Sequence, residues 1–336
     1  MFTAERICKI MDSLASKSIG LIGDFCVDIY WHADMTRSEL SRETPHYPLP
    51  VTQERVYLGA AGNVAANIAA LSPARLCAMS LYSHDWRGML MLDELKKAGI
   101  DSGFFVECEN RFTNAYCKPM RKGISTLVYE DPRLDFDNYE PISAKTEEQI
   151  IVNLRKMAEC TDIICVADQF RFGIVTKRVR DEIIALAKAG HTVVADSRYC
   201  IAEYSNCILK PNEVECWRAV YSNEDYLNAD IPAFTAAADK LAVKNNASVF
   251  CTLGANGSYV TSGENGTKIG AVKLQGELDI CGAGDTSLSA FVCALAAGCN
   301  MSEAAQLACL ASAVTVQKIG MTGTASFEEI SSLLER

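Results

Sequence analysis

Short apolar runs alternate with helix-length amphipathic segments from Ser18 to Asp196, and that alternation restricts the fold more than any other property of the chain. Ser18 to Gly23 reads as a buried strand ending in Gly-Asp and opening onto a loop. Gly62 to Leu71 reads as an alanine-rich helix, Arg75 to Tyr82 as a strand, and Asp85 to Ala98 as an amphipathic helix closed by Gly99. A helix at Lys145 to Glu159, a strand at Asp162 to Ala167, a helix at Val175 to Lys188 before Gly190 and a strand at Thr192 to Asp196 continue the pattern. Strands at Ile208 to Lys210 and Ser248 to Leu253, a Gly-rich hairpin and two terminal helices complete it. Strands separated by helices of this length form parallel βαβ units. The expected fold is therefore α/β, a doubly wound, mainly parallel sheet with helices on both faces, in one domain over residues 1–336.

Two segments break the rhythm. Phe25 to Leu58 mixes polar and aromatic residues with Pro45, Pro48 and Pro50, and Thr113 to Tyr129 alternates around Lys122-Gly123 like a hairpin. Together they predict a small β appendage over the sheet edge, a lid in functional terms. Exposed β edges pair readily, so a homodimer is expected. The N-terminal segment from Met1 to Ser16 carries Glu5, Arg6, Lys9 and Asp12 among apolar residues at helical spacing, which reads as an amphipathic helix and not as a signal peptide.

A net charge of −10 argues against nucleic acid or an anionic membrane surface as a partner, because both need clustered Lys and Arg. No apolar run approaches membrane-spanning length. The 15 cysteines are odd in number, lack a Cys-x-x-Cys pair and sit among apolar neighbours, as in Ile163-Ile-Cys-Val, so they read as buried small hydrophobes in a reducing cytoplasm.

In an open parallel sheet ligands bind beyond the carboxyl ends of the strands. Asp24 and Asp28, Asp168, Asp196 and Arg198, Asn212 and Glu215, and Gly254 all follow predicted strands. The string Asp279-Ile-Cys-Gly-Ala-Gly-Asp285 opens directly into a helix of small and apolar residues. It has two readings. It is a Gly-rich turn with Asp285 as N-cap, or it is an anion cradle in which Gly282, Ala283 and Gly284 hold a transferring phosphoryl group while Asp285 takes a proton. Asn63 and Asn67 stand one turn apart at a small-residue helix start, either for close packing or to hydrogen-bond sugar hydroxyls. Asn212 and Glu215, three apart, suit either a helix N-terminus or Mg²⁺ held through water. There is no Gly-x-x-x-x-Gly-Lys-Ser/Thr loop, no complete Gly-x-Gly-x-x-Gly, no Gly-x-Ser-x-Gly and no metal spacing among the four histidines.

Five strings in order, Gly23-Asp-Phe-Cys-Val-Asp28, Gly59-Ala-Ala-Gly-Asn63-Val-Ala-Ala-Asn67, Lys210-Pro-Asn212-Glu-Val-Glu215, Thr252-Leu-Gly254-Ala-Asn-Gly257 and Asp279 to Asp285, resemble the PfkB (ribokinase-like) carbohydrate kinases over nearly the whole chain. Asp28-Ile-Tyr-Trp31, Leu40-Ser-Arg-Glu-Thr-Pro45, Arg133-Leu-Asp-Phe136 and Asp196-Ser-Arg198 are similar to the heptose-phosphate kinase branch. The resemblance implies ATP and Mg²⁺ as cofactors, with K⁺ as a further candidate, and a sugar or sugar phosphate as acceptor. It implies Asp285 as base, the Gly282 to Gly284 amides as anion hole, and Asn212 and Glu215 ordering Mg²⁺ and phosphates. Thr252, Gly254 and Gly257 would border the nucleotide, and Asp28, Gly59, Gly62, Asn63 and Asn67 the sugar. Departures are Ala60 for the usual second glycine, Ile280 and Cys281 for the commoner Thr-Thr, and Arg171 and Arg198 roughly where the heptose kinases carry lysines. Two guanidinium groups favour a phosphorylated sugar; a neutral-sugar or nucleoside kinase is the alternative, and a non-catalytic sugar or nucleotide sensor is the alternative from another class.

Overall fold

The computed structural model describes residues 2–221, 225–320 and 322–334. Helix α1 (Ala4–Leu14) leads into β1 (Ser18–Gly23), and only Asp24 separates β1 from β2 (Phe25–Asp34). Strand β3 (Val51–Ala60) turns directly into α2 (Ala61–Ala70). Then come β4 (Arg75–Met79), β5 (Leu81–Tyr82), α3 (Trp86–Lys97), β6 (Val106–Glu107), β7 (Ala115–Lys122), β8 (Val128–Glu130) and β9 (Leu134–Phe136). The alternating section follows with α4 (Ala144–Glu159), β10 (Ile163–Asp168), α5 (Lys177–Lys188), β11 (Val193–Ser197), β12 (Ile208–Leu209), α6 (Glu213–Tyr221), α7 (Ile231–Asn245) and β13 (Ser248–Thr252). A hairpin of β14 (Ser258–Thr261) and β15 (Thr267–Ile269) precedes α8 (Ala283–Ala296), α9 (Met301–Thr315) and α10 (Phe327–Leu334).

The main sheet runs β15-β14-β13-β12-β11-β10-β1-β4, parallel from β4 to β13 with an antiparallel edge. Side chains of each strand alternate between two cores, as the two-residue period requires. Ile19, Leu21, Ile163, Cys165, Val194 and Phe250 face a core shared with α1, α2, α8, α9 and α10. Ile22, Ile164, Val166, Val193 and Val249 face a second core shared with α4 to α7. On the first face Phe250 stacks on Phe291 of α8 with ring centroids 4.2 Å apart. The chain leaves β1 for β4 on one side and returns to β10 on the other, so the crevice beyond β1 and β10 is the topological switch point. Helix α8 packs on α2, β1 and β10 and starts at that crevice.

A second sheet pairs β3, β2, β7 and β8 in that order, with β9 further along the same edge of β7 as β8. It contains the two segments that break the rhythm. Lys122 pairs with Val128 across the expected hairpin, and the sheet continues past Tyr129 to Phe136. Helix α7 is an element beyond the expected set, three helices and not two close the chain, and two boundaries differ from expectation. Gly23 does not open onto a loop, and the strand expected at 75–82 breaks at Ser80. Both follow from one side chain. Ser80 Oγ donates to Gly23 O (2.7 Å) and accepts from Phe25 N (3.1 Å), which steers the chain from β1 into β2. Leu81 and Tyr82 leave the main sheet and pair with β6.

Ala60, where the second glycine was expected, joins β3 to α2 with φ 49° and ψ −123°. An L-residue there carries strain on the order of 1–3 kcal/mol. Gly in its place relieves that strain but loosens the unfolded chain by up to about 1 kcal/mol. Ala60→Gly is expected to stabilise the fold by about 1 kcal/mol, read as a higher urea midpoint at unchanged m-value; a lower midpoint contradicts the strained assignment.

Candidate active site

The start of α8 forms the centre. Gly282 takes φ 77° at the N-cap, and a Cβ there would come within 2.9 Å of Asn63 Nδ2. At Gly284 the nearest group to an added Cβ is Lys210 Nζ at 3.9 Å, so the backbone face beside this ammonium is open to a ligand. The Ala283 amide donates to Ile280 O at 3.2 Å, and the first-turn amide of Gly284 with the helix dipole favours an anion at this end. Asp285, in the first turn, accepts a 2.7 Å hydrogen bond from Asn63 Nδ2. Burial pushes its carboxyl up to about 6; Asn63 and Lys210 oppose that rise, and Asp196 and Asp28 add to it.

The Asn63 amide is itself held in orientation. Asn67 Nδ2 donates to Asn63 O (2.9 Å) and lies 3.3 Å from Asn63 Oδ1, which turns Asn63 Nδ2 toward Asp285. Thr286 Oγ1 donates to Asn67 Oδ1 (2.9 Å), and Ser289 Oγ to Val64 O (3.0 Å). Asn67, 2% exposed with both amide atoms engaged, is thus a positioning residue behind the site, in place of the expected sugar contact. Gly62 also departs from expectation, because the space of its absent Cβ is filled by Leu58 and Phe25 and it serves the packing of α2 on β3. Gly59 runs against Asp28, where an added Cβ would come 2.9 Å from Oδ2.

Asp28 on β2 is buried, and its Oδ1 has no hydrogen-bond partner. Lys118 Nζ on β7 lies 3.6 Å from that oxygen, donates to Tyr30 Oη at 2.9 Å and sits over the Tyr30 ring. Burial raises the pKa of Asp28, and Lys118 moderates the rise.

Beyond β11 and β12, Lys210 Nζ meets Asp196 Oδ2 at 2.7 Å with both side chains buried. Burial disfavours the ammonium, but Asp196 outweighs that and raises its pKa, so the charge persists beside α8. Asn212 and Glu215 form a reciprocal cap on α6: Glu215 N donates to Asn212 Oδ1 (2.8 Å) and Asn212 N to Glu215 Oε2 (2.9 Å). Burial and then Asp196 raise the pKa of Glu215, while the Asn212 amide, Lys210 and Arg198 lower it. Thr252 bridges to Asn212. Gly254 (φ 52°) opens the following turn, with Glu213 its nearest neighbour. Gly257 (φ 88°) closes the turn where a Cβ would strike Ile269 O, which makes it a backbone-crossing residue of the hairpin.

Arg171 and Arg198 are exposed and flank one ring, with guanidinium carbons 5.2 and 6.0 Å from the centroid of Tyr199. Asp168 holds the Arg198 side, accepting from Ser197 Oγ (2.7 Å) and Tyr204 Oη (3.0 Å) while its carbonyl accepts from Arg198 N (3.0 Å). Asp24 holds the Arg171 side by accepting from the amides of Gln169, Phe170 and Ile174. Burial and Asp168 push the Asp24 carboxyl up to about 7 against those three amides. Asp24 is therefore the nucleus of the 169–174 loop and does not face ligand space. Sequence reasoning missed Lys210, Lys118 and Tyr30 as members of this cluster. Lys210 had a readable signal, a lysine ending the apolar run Ile208-Leu209, whereas Lys118 and Tyr30 meet only through the β2–β7 register. An open groove of about 900 Å³ between residues 106–112 and 137–149 shares none of these groups.

With this geometry in place, the chain matches the description "pfkB family carbohydrate kinase" over residues 24–327, and it belongs to that family. Relatives include the bifunctional protein HldE of Hyphomonas neptunium, 30% identical over 98% of this chain and 66% of its own length, and that of a Bradyrhizobium species, 29% identical over 95% and 64%. The chain thus spans about two thirds of these curated relatives, which agree with the branch that its motifs resemble. Arabidopsis thaliana ribokinase complexed with ribose and ATP (TM-score 0.68, 19% identity, 96% of this chain and 99% of that one) and Escherichia coli phosphofructokinase-2 in complex with potassium (0.71, 16%, 96% and 100%) share the ribokinase-like fold.

The Asn63 contact favours the charged form of Asp285, so its loss moves the carboxyl further up. Asn63→Ala is expected to raise the Asp285 pKa above about 6, followed by carboxyl-carbon NMR titration. An unchanged or lower value contradicts the contact.

Proposed function

We propose that the chain is an ATP- and Mg²⁺-dependent kinase that phosphorylates a hydroxyl of a phosphorylated sugar of the heptose 7-phosphate kind. The observation that carries this reading is the convergence of a half-buried carboxylate, an open helix N-terminus and a buried ammonium at the start of α8. Asp285 takes the proton of the acceptor hydroxyl. The amides of Gly282 and Gly284, joined by that of Ala283 once it leaves Ile280 O, hold the phosphoryl oxygens with Lys210 beside them. Catalysis is positional and electrostatic, since the transferred group needs little covalent help from protein.

The residues suit both cofactors. An added Cβ at Gly284 would stand in the open space beside Lys210 that the nucleotide phosphates need, and Thr252 and Gly254, with Gly257 closing the turn, would border the nucleotide. Among the described residues no cluster of three ligating side chains exists; Mg²⁺ suits a site of this kind because it keeps water and phosphate oxygens as ligands, with Glu215 and Asn212 ordering them. When bound, the metal offsets phosphate charge. A potassium requirement is proposed by analogy with the E. coli phosphofructokinase-2 complex. We also propose that the whole chain works as one domain, with the second sheet as lid, as a cytoplasmic homodimer. Among the described residues no helix is long and apolar enough to cross a membrane.

The distribution of charge favours a phosphorylated acceptor. Lys118 faces Asp28 and Arg133 faces Asp135, whereas Arg171 and Arg198 have no carboxylate partner within salt-bridge distance among the described residues. Two unneutralised guanidinium groups suit a phosphate.

Asp285→Asn is expected to fold normally and to lose about 10²–10⁴ in kcat, the contribution typical of a general base. In the parent protein kcat/KM should rise with pH through about 6 and level off above it, because only the deprotonated carboxylate accepts the proton. An unchanged kcat in Asp285→Asn, or sugar binding without ATP consumption in the parent, sinks the enzymatic reading in favour of a sensor. The double variant Arg171→Ala/Arg198→Ala should raise KM for heptose 7-phosphate by about 10- to 100-fold, the scale of lost charged hydrogen bonds, while leaving ribose turnover unaltered. Equal effects on both sugars contradict a phosphate role for the arginines.

A further inference from the structure

Arg171, one of the two exposed guanidinium groups read above as the phosphate site, stands on a loop whose backbone is held on both sides of it. Phe170 N donates to Asp24 Oδ2 at 2.7 Å, and Phe172 O accepts from Arg111 Nη2. The two holders are roots of the second sheet. Asp24 is the single residue between β1 and β2, and Arg111 lies just ahead of β7, the strand that pairs with β2. The root of β7 is itself fixed. Phe112 N donates to Asn138 Oδ1 (3.0 Å), Asn138 Nδ2 donates back to Phe112 O (2.9 Å), and Thr113 N donates to Asp85 Oδ2 (3.1 Å). Asp24, Arg111, Phe170, Gly173 and Ile174 line one cavity of about 10 Å³, room for about one water, so the loop has little space in which to slide.

Arg111 is suited to this task by its fork. The other arm, Nη1, donates to Glu140 O at 2.6 Å, so one planar guanidinium holds carbonyls from two separate segments. A lysine there is a point charge that serves one carbonyl well. With no donor at all, Phe172 O is left unpaired and Asp24 alone shapes the loop. We propose that Arg111 is a positioning residue: it holds the Arg171 loop against the root of β7 and thereby sets the affinity for the phosphate of the acceptor, acting through Arg171 and not by contact with substrate. The inference rests on the phosphate reading of Arg171 and Arg198 and deepens it. Because Asp24 and Arg111 stand at the roots of adjacent strands, a displacement of the second sheet carries Arg171 with it, and phosphate recognition is tied to the position of that sheet.

The test measures kcat and KM for heptose 7-phosphate and for the same heptose without its phosphate, in the parent, Arg111→Met, Arg111→Lys, Arg171→Ala and Arg111→Met/Arg171→Ala, with urea midpoints to confirm folding. Arg111→Met is expected to raise KM for heptose 7-phosphate about 10-fold, the scale of one lost charged hydrogen bond, with kcat nearly kept and KM for the free heptose unmoved. Arg111→Lys should recover part of that affinity. In the Arg171→Ala background Arg111→Met should add nothing, because a residue that acts through another is not additive with it. Should Arg111→Met fail to fold, Arg111→Lys in both backgrounds carries the same comparison with a smaller factor. Equal losses on the two sugars, or the same loss with and without Arg171, overturn the proposal and leave Arg111 a scaffold residue. If Arg171→Ala itself leaves KM for heptose 7-phosphate unchanged, the phosphate reading of Arg171 falls and takes this inference with it. A parent that phosphorylates neither sugar removes the kinase reading and this inference together, an outcome distinct from the others.

Discussion

Asn63 Nδ2 meets Asp285 Oδ2 across 222 positions of sequence, and the rest of the site is arranged around that contact. It requires α2 and α8 to approach closely, which is why both helices are built from alanine, glycine, serine and other small residues where they touch. It also requires a fixed amide orientation, supplied by Asn67 and, through Asn67, by Thr286 of α8 itself. The loop between Asn63 and Asp285 is thus closed twice, once at the pocket and once in the core behind it. Small side chains here are a geometric requirement of the site and not merely filler.

Charge is distributed with the same economy. Within an acidic chain of net charge −10, positive groups near the pocket are divided into neutralised and unneutralised sets. Lys210 and Lys118 are buried or nearly so and face carboxylates, a geometry that holds an ammonium in place at low dielectric. Arg171 and Arg198 remain exposed on either side of Tyr199. Under the proposed function the pocket has paired charges at its floor and exposed cations at its mouth, and local contacts, against a net charge of −10, would hold an anion.

Much of this was legible in the sequence. The main sheet, most of its helices (α7 and α10 excepted), the hairpin around Lys122-Gly123 and the glycine string before α8 follow from periodicity, glycine placement and composition, all of them local signals. The carboxylates at the strand ends were readable as a set because parallel register carries Asp24, Asp168 and Asp196 to one edge. Their division of labour was not readable. Asp24 and Asp168 turned out to be scaffolding carboxylates that accept loop amides and hydroxyls, while Asp196 pairs with Lys210. Asn67 and Gly62 looked equivalent to Asn63 and Gly59 by spacing, but one helical turn separates a residue at the pocket from one in the core. Lys118 carried no local signal, since its partners lie 88 and 90 residues away and are brought to it by strand pairing alone.

Asp24 ties the amides of residues 169–174 to the first strand through contacts spanning 145 to 150 positions. A nascent chain that has completed β1, β2 and α2 thus holds a carboxylate with nothing to bind until β10 has been made and laid alongside. The loop bearing Arg171 takes its shape only then, and α8, with Asp285, comes near the end of the sequence. Assembly of this pocket is dominated by non-local closures, the regime in which folding is slow. The first half of the chain by itself leaves uncovered the sheet face that α8 and α9 pack on and the edge of β1 that pairs with β10.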